Sequence, residues 1–195
     1  MENRRHGFLG RIDAVPHIGT HSLEEKTRVA EEGGGQAKRI ALAAILSALT
    51  VVLSPLYIPL GATKCFPAQH MMNALAGIIL GPWYAAAMAV LTGTARNALG
   101  LGTIYAYPGG IPGALVVGLT HRYLKKSDLA ALTEPLGTVA IGATASALLL
   151  APHLGHSMTL YFFWVAFAAS SIPGSILGYI VLKALRRLGL IGTIL

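Results

Sequence analysis

The sequence predicts an all-α membrane protein, a bundle of six transmembrane helices. Of the 195 residues, 54% are hydrophobic and 12% are charged. Four long stretches contain no Lys, Arg, Asp or Glu: residues 40–63, 65–95, 97–121 and 135–182. A hydrocarbon layer about 30 Å thick requires roughly 20 apolar residues per helix. Stretches of this length and composition therefore favour a membrane domain over a soluble core.

The charged residues divide the chain into three parts. Residues 1–37 hold six of the eight acidic residues and have no apolar core of their own, so we expect a polar, disordered or weakly helical cytoplasmic tail. Residues 38–187 form the predicted six-span membrane domain, and residues 188–195 form a short C-terminal tail.

The first span is expected from Ile40 to about Leu56, after Lys38 and Arg39. The region from Gln69 to Ala95 is interrupted by Gly81-Pro82, which is compatible with a kink in one helix or with a tight turn between two short ones. The remaining spans are expected over about 111–124, 129–150 and 158–185.

Lysine and arginine collect at cytoplasmic helix ends, and this rule decides between five and six spans. With six spans and a cytoplasmic N-terminus, eight basic residues of the membrane domain lie inside and two outside. With five spans, three lie inside and seven outside. The six-span topology places both termini in the cytoplasm of a multi-pass cell-membrane protein. Its inside residues are Lys38, Arg39, Arg122, Lys125, Lys126, Lys183, Arg186 and Arg187.

The two basic residues on the outer side, Lys64 and Arg96, are candidates for function because ionisable side chains are costly near the hydrocarbon. Gln69 and Asn73 share one face of the second helix, with His70 beside them. Asn97 and a glycine-rich loop with two tyrosines follow Arg96. We expect a substrate site in the outer third of the bundle, formed by Lys64, Gln69, His70, Asn73, Arg96, Asn97, Tyr105 and Tyr107.

Small residues and aromatic residues also recur at helical spacing. Ser170, Gly174 and Gly178 on the sixth helix favour close helix packing, and Ala44 and Ala48 on the first helix could do the same or dock a partner. The aromatic residues 161–164 are typical of a lipid-facing interfacial belt. The chain contains no phosphate-binding fingerprint, and we expect no catalytic residues, cofactor or metal.

Several of these segments together resemble a known family, the ThiW type of substrate-binding S-component of energy-coupling factor (ECF) vitamin transporters. The resemblance covers about residues 38–187. The matching segments are residues 61–73, Ala76-Gly77, residues 80–84, Arg96-Asn97 and the Tyr107-Pro108-Gly109-Gly110 loop.

The resemblance implies a membrane subunit that binds a thiamine precursor, hydroxyethylthiazole, on the outer side for ATP-driven import. It implies two kinds of partner, a transmembrane T-component and two ABC-type ATPase subunits. Ala44 and Ala48 match the small-residue face that such subunits present to the T-component. Two alternatives stay open: an S-component for another small vitamin or thiamine fragment, and a haem-binding membrane cytochrome subunit that uses His70 and His153.

Overall fold

The computed structural model describes residues 18–60, 63–123 and 127–191. Residues 1–17, most of the predicted tail, therefore lie outside the described residues. So do Gly61 and Ala62 of the resemblance, and Lys125 and Lys126 of the charge argument.

The chain forms two compact units, residues 1–37 and residues 38–195. The described residues of the first unit, 18–37, are helical. They belong to helix α1, which begins at Ile18 and ends at Val52. In the second unit the remaining helices are α2 (Pro67–Ile79), α3 (Pro82–Ala98), α4 (Ala106–Tyr123), α5 (Asp128–His153) and α6 (Leu160–Arg187).

Three helical segments are long and apolar enough to cross a membrane: Gly33–Val52, Asp128–His153 and Leu160–Arg187. Helix α2 is shorter, with 13 residues, which corresponds to about 20 Å at 1.5 Å per residue. Large apolar side chains are exposed along α5 and α6, for example Ile141, Leu148, Ile172 and Ile180. An apolar exterior of this kind is the surface that lipid covers.

The Gly81-Pro82 pair forms a turn between two helices. Helix α2 ends at Ile79 and α3 begins at Pro82. Gly81 has a φ of 87°, a backbone conformation that glycine adopts without a steric penalty. Pro82 occupies the first turn of α3, where its missing N–H group breaks no helical hydrogen bond. Helices α2 and α3 are therefore separate elements, joined by a turn at Leu80-Gly81.

A β-hairpin precedes α2. This hairpin was not predicted from the sequence. Its strands are β1 (Ile58–Leu60) and β2 (Thr63–Cys65), paired so that Pro59 lies opposite Lys64. Successive side chains of a strand point to opposite faces. Lys64 is accordingly exposed and Cys65 is buried.

Helix α2 lies at the centre of the second unit. Eleven of its 13 residues are buried, and it contacts α3, α4, the first turn of α5 and α6. Its apolar residues Met72, Leu75, Ile78 and Ile79 belong to the main hydrophobic core, which also includes Val117 of α4 and Leu182 of α6. The polar residues at the start of α2 are therefore enclosed by protein.

Glycines allow the helices to approach closely. A Cβ atom added at Gly174 of α6 would lie 2.5 Å from the Pro67 carbonyl oxygen, and one at Gly178 would lie 2.7 Å from the Ala74 Cβ atom. On α5, a Cβ atom at Gly142 would lie 2.0 Å from the Pro108 carbonyl oxygen. Internal packing thus accounts for these small residues.

Helix α5 is irregular. It begins as a 3₁₀ turn (Asp128–Thr133) and contains two π-helical segments, Leu136–Ala143 and Ser146–Leu150. Helices of the π type are rare and are often found at functional sites. Near its start, α5 is joined to the end of α6 by an ion pair in which Arg186 Nε lies 2.6 Å from Asp128 Oδ2.

The C-terminal residues 188–191 follow α6 directly. Ile191 is buried and packs into the main core, while residues 192–195 lie outside the described part of the chain.

Candidate functional site

A cavity of about 320 Å³ lies among the hairpin, the start of α2, the end of α3, the start of α4 and the start of α6. This volume is at the lower end of the range of about 300–1,000 Å³ typical of small-molecule sites. Aromatic rings form much of its wall: Phe66, Tyr105, Phe162, Phe163 and Phe167. The polar side chains of the wall are Lys64, Gln69, His70, Arg96, Thr103, His156 and Ser170.

Arg96 is fixed at the end of α3 by contacts from three directions. Its Nη1 atom donates to Gln69 Oε1 of α2, and Nη2 donates to the Leu101 carbonyl oxygen at 3.3 Å. The guanidinium lies 4.2 Å from the centroid of the Phe66 ring, a favourable cation–π distance. Arg96 is 1% exposed, and Nε has no hydrogen-bond partner in the described part of the chain.

No carboxylate of the described residues forms an ion pair with Arg96. The contacts of this buried cation are an amide oxygen, a carbonyl oxygen and an aromatic ring, none of which carries a negative charge. It therefore still attracts electron-rich groups. The Arg96 side chain therefore gives the cavity an electropositive wall that suits a hydrogen-bond acceptor on a ligand.

Phe66 and Ser170 connect the entrance of α2 to α6. The Phe66 backbone N–H donates to Ser170 Oγ at 3.2 Å, and this hydroxyl donates to the Ala166 carbonyl oxygen at 3.2 Å. Lys64 lies at the rim, exposed, with its Nζ atom 4.3 Å from the centroid of the Tyr57 ring.

His70 and Glu134 form a buried pair directly beside the cavity. His70 Nδ1 lies 2.8 Å from Glu134 Oε1. Asn73 Nδ2 donates to the same oxygen at 3.2 Å and to the Gly110 carbonyl oxygen at 3.3 Å. The Thr138 hydroxyl lies 2.7 Å from this oxygen and 2.9 Å from the Gly109 carbonyl oxygen. Glu134 is 0% exposed. All of these contacts are made by Oε1, and Oε2 has no hydrogen-bond partner among the described residues.

Tyr105 and His156 meet across the cavity from two different loops. The Tyr105 hydroxyl lies 2.7 Å from His156 Nδ1, and the Tyr105 ring is 4.9 Å from that of Phe163. Desolvation raises the pKa of Tyr105 above its ordinary value, so its hydroxyl is protonated at neutral pH. The contact links the loop before α4 to the loop before α6.

Five of the eight predicted site residues line the cavity: Lys64, Gln69, His70, Arg96 and Tyr105. The other three do not line it. Asn73 is buried one helical turn further along α2 and is occupied by Glu134. Tyr107 packs its ring near Gly93 and bonds the Thr94 hydroxyl at 3.0 Å. Asn97 is half-buried at the end of α3, near Gly102.

The structure adds residues that the sequence analysis did not place in the site. Among the aromatic residues 161–164, Tyr161 and Trp164 are exposed as expected for a lipid-facing belt, but Phe163 is buried and Phe162 half-buried, and both line the cavity. Glu134 lies inside the span predicted over about 129–150 but was not among the predicted site residues. A carboxylate inside a predicted span is itself a signal for function, and this signal was present in the sequence.

The predicted docking residues lie on the outer surface of α1. Ala44 and Ala48 are exposed, whereas Ser47 is 3% exposed. The exposed Ile45, Leu49 and Val52 continue the same apolar surface. The surface thus has small alanines at its centre and larger apolar side chains at its edges.

The haem alternative requires two imidazoles that face each other. His70 lines the cavity and bonds Glu134, whereas His153 is exposed at the end of α5 and bonds the Leu149 carbonyl oxygen at 2.6 Å. These two side chains do not line a common cavity among those found in the described residues.

Comparisons with known proteins agree with the resemblance seen in the sequence. Residues 40–188 match the family model of ThiW, described as a thiamine-precursor transporter protein. Searches among curated proteins and among solved structures gave no match. The family match spans the helices that build the cavity and includes all of its wall. With most of its length matched, the chain belongs to the ThiW family of thiamine-precursor transporter proteins.

Proposed function

We propose that this chain is the substrate-binding subunit of an ATP-driven ECF importer and that it captures hydroxyethylthiazole in the cavity from the outer side of the membrane. One observation carries the proposal. Flat aromatic rings and a few buried hydrogen-bonding groups converge on one small cavity. This is the wall that a small polar heteroaromatic molecule requires, because stacking holds the ring and the polar groups orient it.

The proposal includes a six-span topology with both termini in the cytoplasm. The eight-to-two distribution of Lys and Arg supports it. The turn at Gly81 also supports it, since α2 and α3 are separate helices. In this topology the hairpin and the loop before α4 lie on the outer side, where substrate arrives.

The proposal also includes energy coupling by separate subunits. The sequence has no phosphate-binding fingerprint, so ATP hydrolysis would come from two ABC-type ATPases that act through a T-component. The apolar α1 surface around Ala44 and Ala48 is the candidate contact for the T-component.

Calorimetric titration of the purified protein tests the ligand. We expect saturable binding of hydroxyethylthiazole, weaker binding of its phosphate and no binding of intact thiamine. Phe163→Ala should weaken binding because it removes a buried ring from the wall, and Tyr161→Ala should not, because Tyr161 is 75% exposed. Tight binding of another vitamin with no binding of the thiazole would reject the proposed ligand.

A further inference from the structure

The pair His70–Glu134 gives the cavity a defined hydrogen-bonding polarity. Glu134 Oε1 accepts from Asn73 Nδ2, and His70 Nδ1 lies 2.8 Å from the same oxygen. The Thr138 hydroxyl also lies beside it, but its single proton has a second acceptor in the Gly109 carbonyl oxygen. A carboxylate oxygen is an acceptor, so the 2.8 Å contact places a proton on His70 Nδ1. The contact does not determine whether the second ring nitrogen, Nε2, also carries a proton.

Nε2 is the part of His70 that is available to a ligand. Nε2 makes no hydrogen bond to the described residues. It is also not one of the fully buried polar atoms, so a small molecule can reach it. His70 lines the cavity. An imidazole that donates through Nδ1 accepts through Nε2 when neutral and donates through Nε2 when protonated. The charge of His70 therefore decides which ligand group it can bind.

Few ionisable groups surround His70. Within the described residues, the Lys, Arg, Asp and Glu side chains in the buried class are Arg96 and Glu134. The other titratable groups of the cavity wall are Lys64, Tyr105 and His156. Lys64 is exposed at the rim and is hydrated there. His70 Nε2 can accept a hydrogen bond only in the neutral ring, so a ligand hydroxyl that donates to this atom requires a neutral His70.

We propose that Glu134 is a positioning residue that holds His70 as the neutral Nδ1–H tautomer, so that His70 Nε2 accepts a hydrogen bond from a hydroxyl group of the ligand. This inference rests on the proposed function for the identity of the ligand. It names the ligand class, a neutral alcohol with an O–H donor. A fully ionised phosphate ester has no such donor, and its oxygens would face the Nε2 lone pair.

The first experiment needs no ligand. In protein labelled with ¹⁵N in histidine, the NMR shifts of His70, assigned with His70→Gln, should show a protonated Nδ1 and an unprotonated Nε2 near neutral pH. In Glu134→Gln this preference should weaken, so that the signals move toward a mixture of tautomers. A doubly protonated ring, or a proton on Nε2 alone, in the unmodified protein would overturn the inference even if Glu134→Gln does not fold.

The second experiment uses hydroxyethylthiazole and its methyl ether, which lacks the O–H donor. The unmodified protein should bind the ether about 5- to 150-fold more weakly, the range expected for one lost hydrogen bond to a buried partner. In His70→Ala the two ligands should bind equally. Glu134→Gln should weaken binding of the alcohol in the unmodified background and should have no further effect in the His70→Ala background, as required if Glu134 acts through His70.

Ser146→Ala is the matched control, because Ser146 is another fully buried polar residue of α5 and bonds Gly142 rather than Glu134. It should keep both the NMR pattern and the preference for the alcohol. Equal binding of alcohol and ether by the unmodified protein would overturn the inference while leaving the proposed function intact. Binding of neither compound would reject the proposed function, and the NMR result would still decide the role of Glu134.

Discussion

The guanidinium of Arg96 lies 4.2 Å from the centroid of the Phe66 ring. The two residues come from different elements, since Arg96 ends α3 and Phe66 directly precedes α2. Both line the cavity. Their contact therefore joins the end of α3 to the beginning of α2 at the proposed ligand site. The planar guanidinium stacked on Phe66 helps to define the shape of the cavity.

Arg96→Lys should lower the affinity for hydroxyethylthiazole by about 5- to 150-fold, because a lysine ammonium cannot reproduce the planar stack on Phe66 together with the hydrogen bonds to Gln69 and Leu101. Calorimetry measures this. Arg122→Lys, on the exposed end of α4, is the matched control and should bind normally. Normal affinity in Arg96→Lys would show that charge alone is sufficient.

Tyr105→Phe should speed the dissociation of bound ligand while changing the wall little. The substitution removes the hydroxyl that contacts His156 Nδ1 at 2.7 Å and keeps the ring beside Phe163. The link between the two loops is lost, so opening of the cavity becomes easier. Stopped-flow measurement of dissociation gives the rate. Tyr161→Phe, on the exposed surface, serves as the control, and equal dissociation rates would exclude the loop contact as a restraint.

Gly174→Ala should destabilise the protein by about 1–3 kcal/mol, the usual cost of overpacking. The added Cβ atom would lie 2.5 Å from the Pro67 carbonyl oxygen and 2.6 Å from His70 Cβ, so α6 must move away from α2. A thermal-unfolding assay in detergent should show a lower Tm. Gly34→Ala, where nothing lies within 4 Å of the new atom, should not lower it. Equal Tm values for Gly174→Ala and the unmodified protein would contradict the close approach of these helices.

Ala48→Leu and Ala44→Leu should reduce cellular uptake of labelled hydroxyethylthiazole and leave binding by the purified protein unchanged. Both positions are exposed on α1, and a larger side chain prevents close approach of a partner helix. Ala87→Leu, an exposed alanine of α3, is the control. Normal uptake in both α1 variants would move the docking surface elsewhere.

The topology can be tested with cysteine labelling in a Cys65→Ala background, since Cys65 itself is 2% exposed and shielded from reagents. Ile58→Cys, in the hairpin, should react with a membrane-impermeant maleimide in intact cells. Tyr123→Cys should react only after permeabilisation. Both native side chains are exposed. Labelling of the two positions from the same side would contradict the six-span topology.

The sequence by itself determined the class of protein and the residues most worth examining. Long stretches without charge can only be covered by lipid or by other apolar helices, so the helical membrane fold follows from composition. The asymmetric distribution of Lys and Arg supports the proposed topology in the same way. Lys64, Gln69, His70, Arg96 and Tyr105 could be found because polar groups at the ends of apolar helices are costly unless they are used.

The tertiary structure alone decided which of these groups share a cavity and which partners they have. Asn73 has the same helical periodicity as Gln69, yet it bonds Glu134 rather than facing the cavity. Phe162 and Phe163 belong to one aromatic run with Tyr161 and Trp164, yet they turn inward. His70 and Glu134 are 64 residues apart in the chain. Helical periodicity defines the faces of one helix, but which neighbour covers each face depends on packing between helices that are distant in sequence.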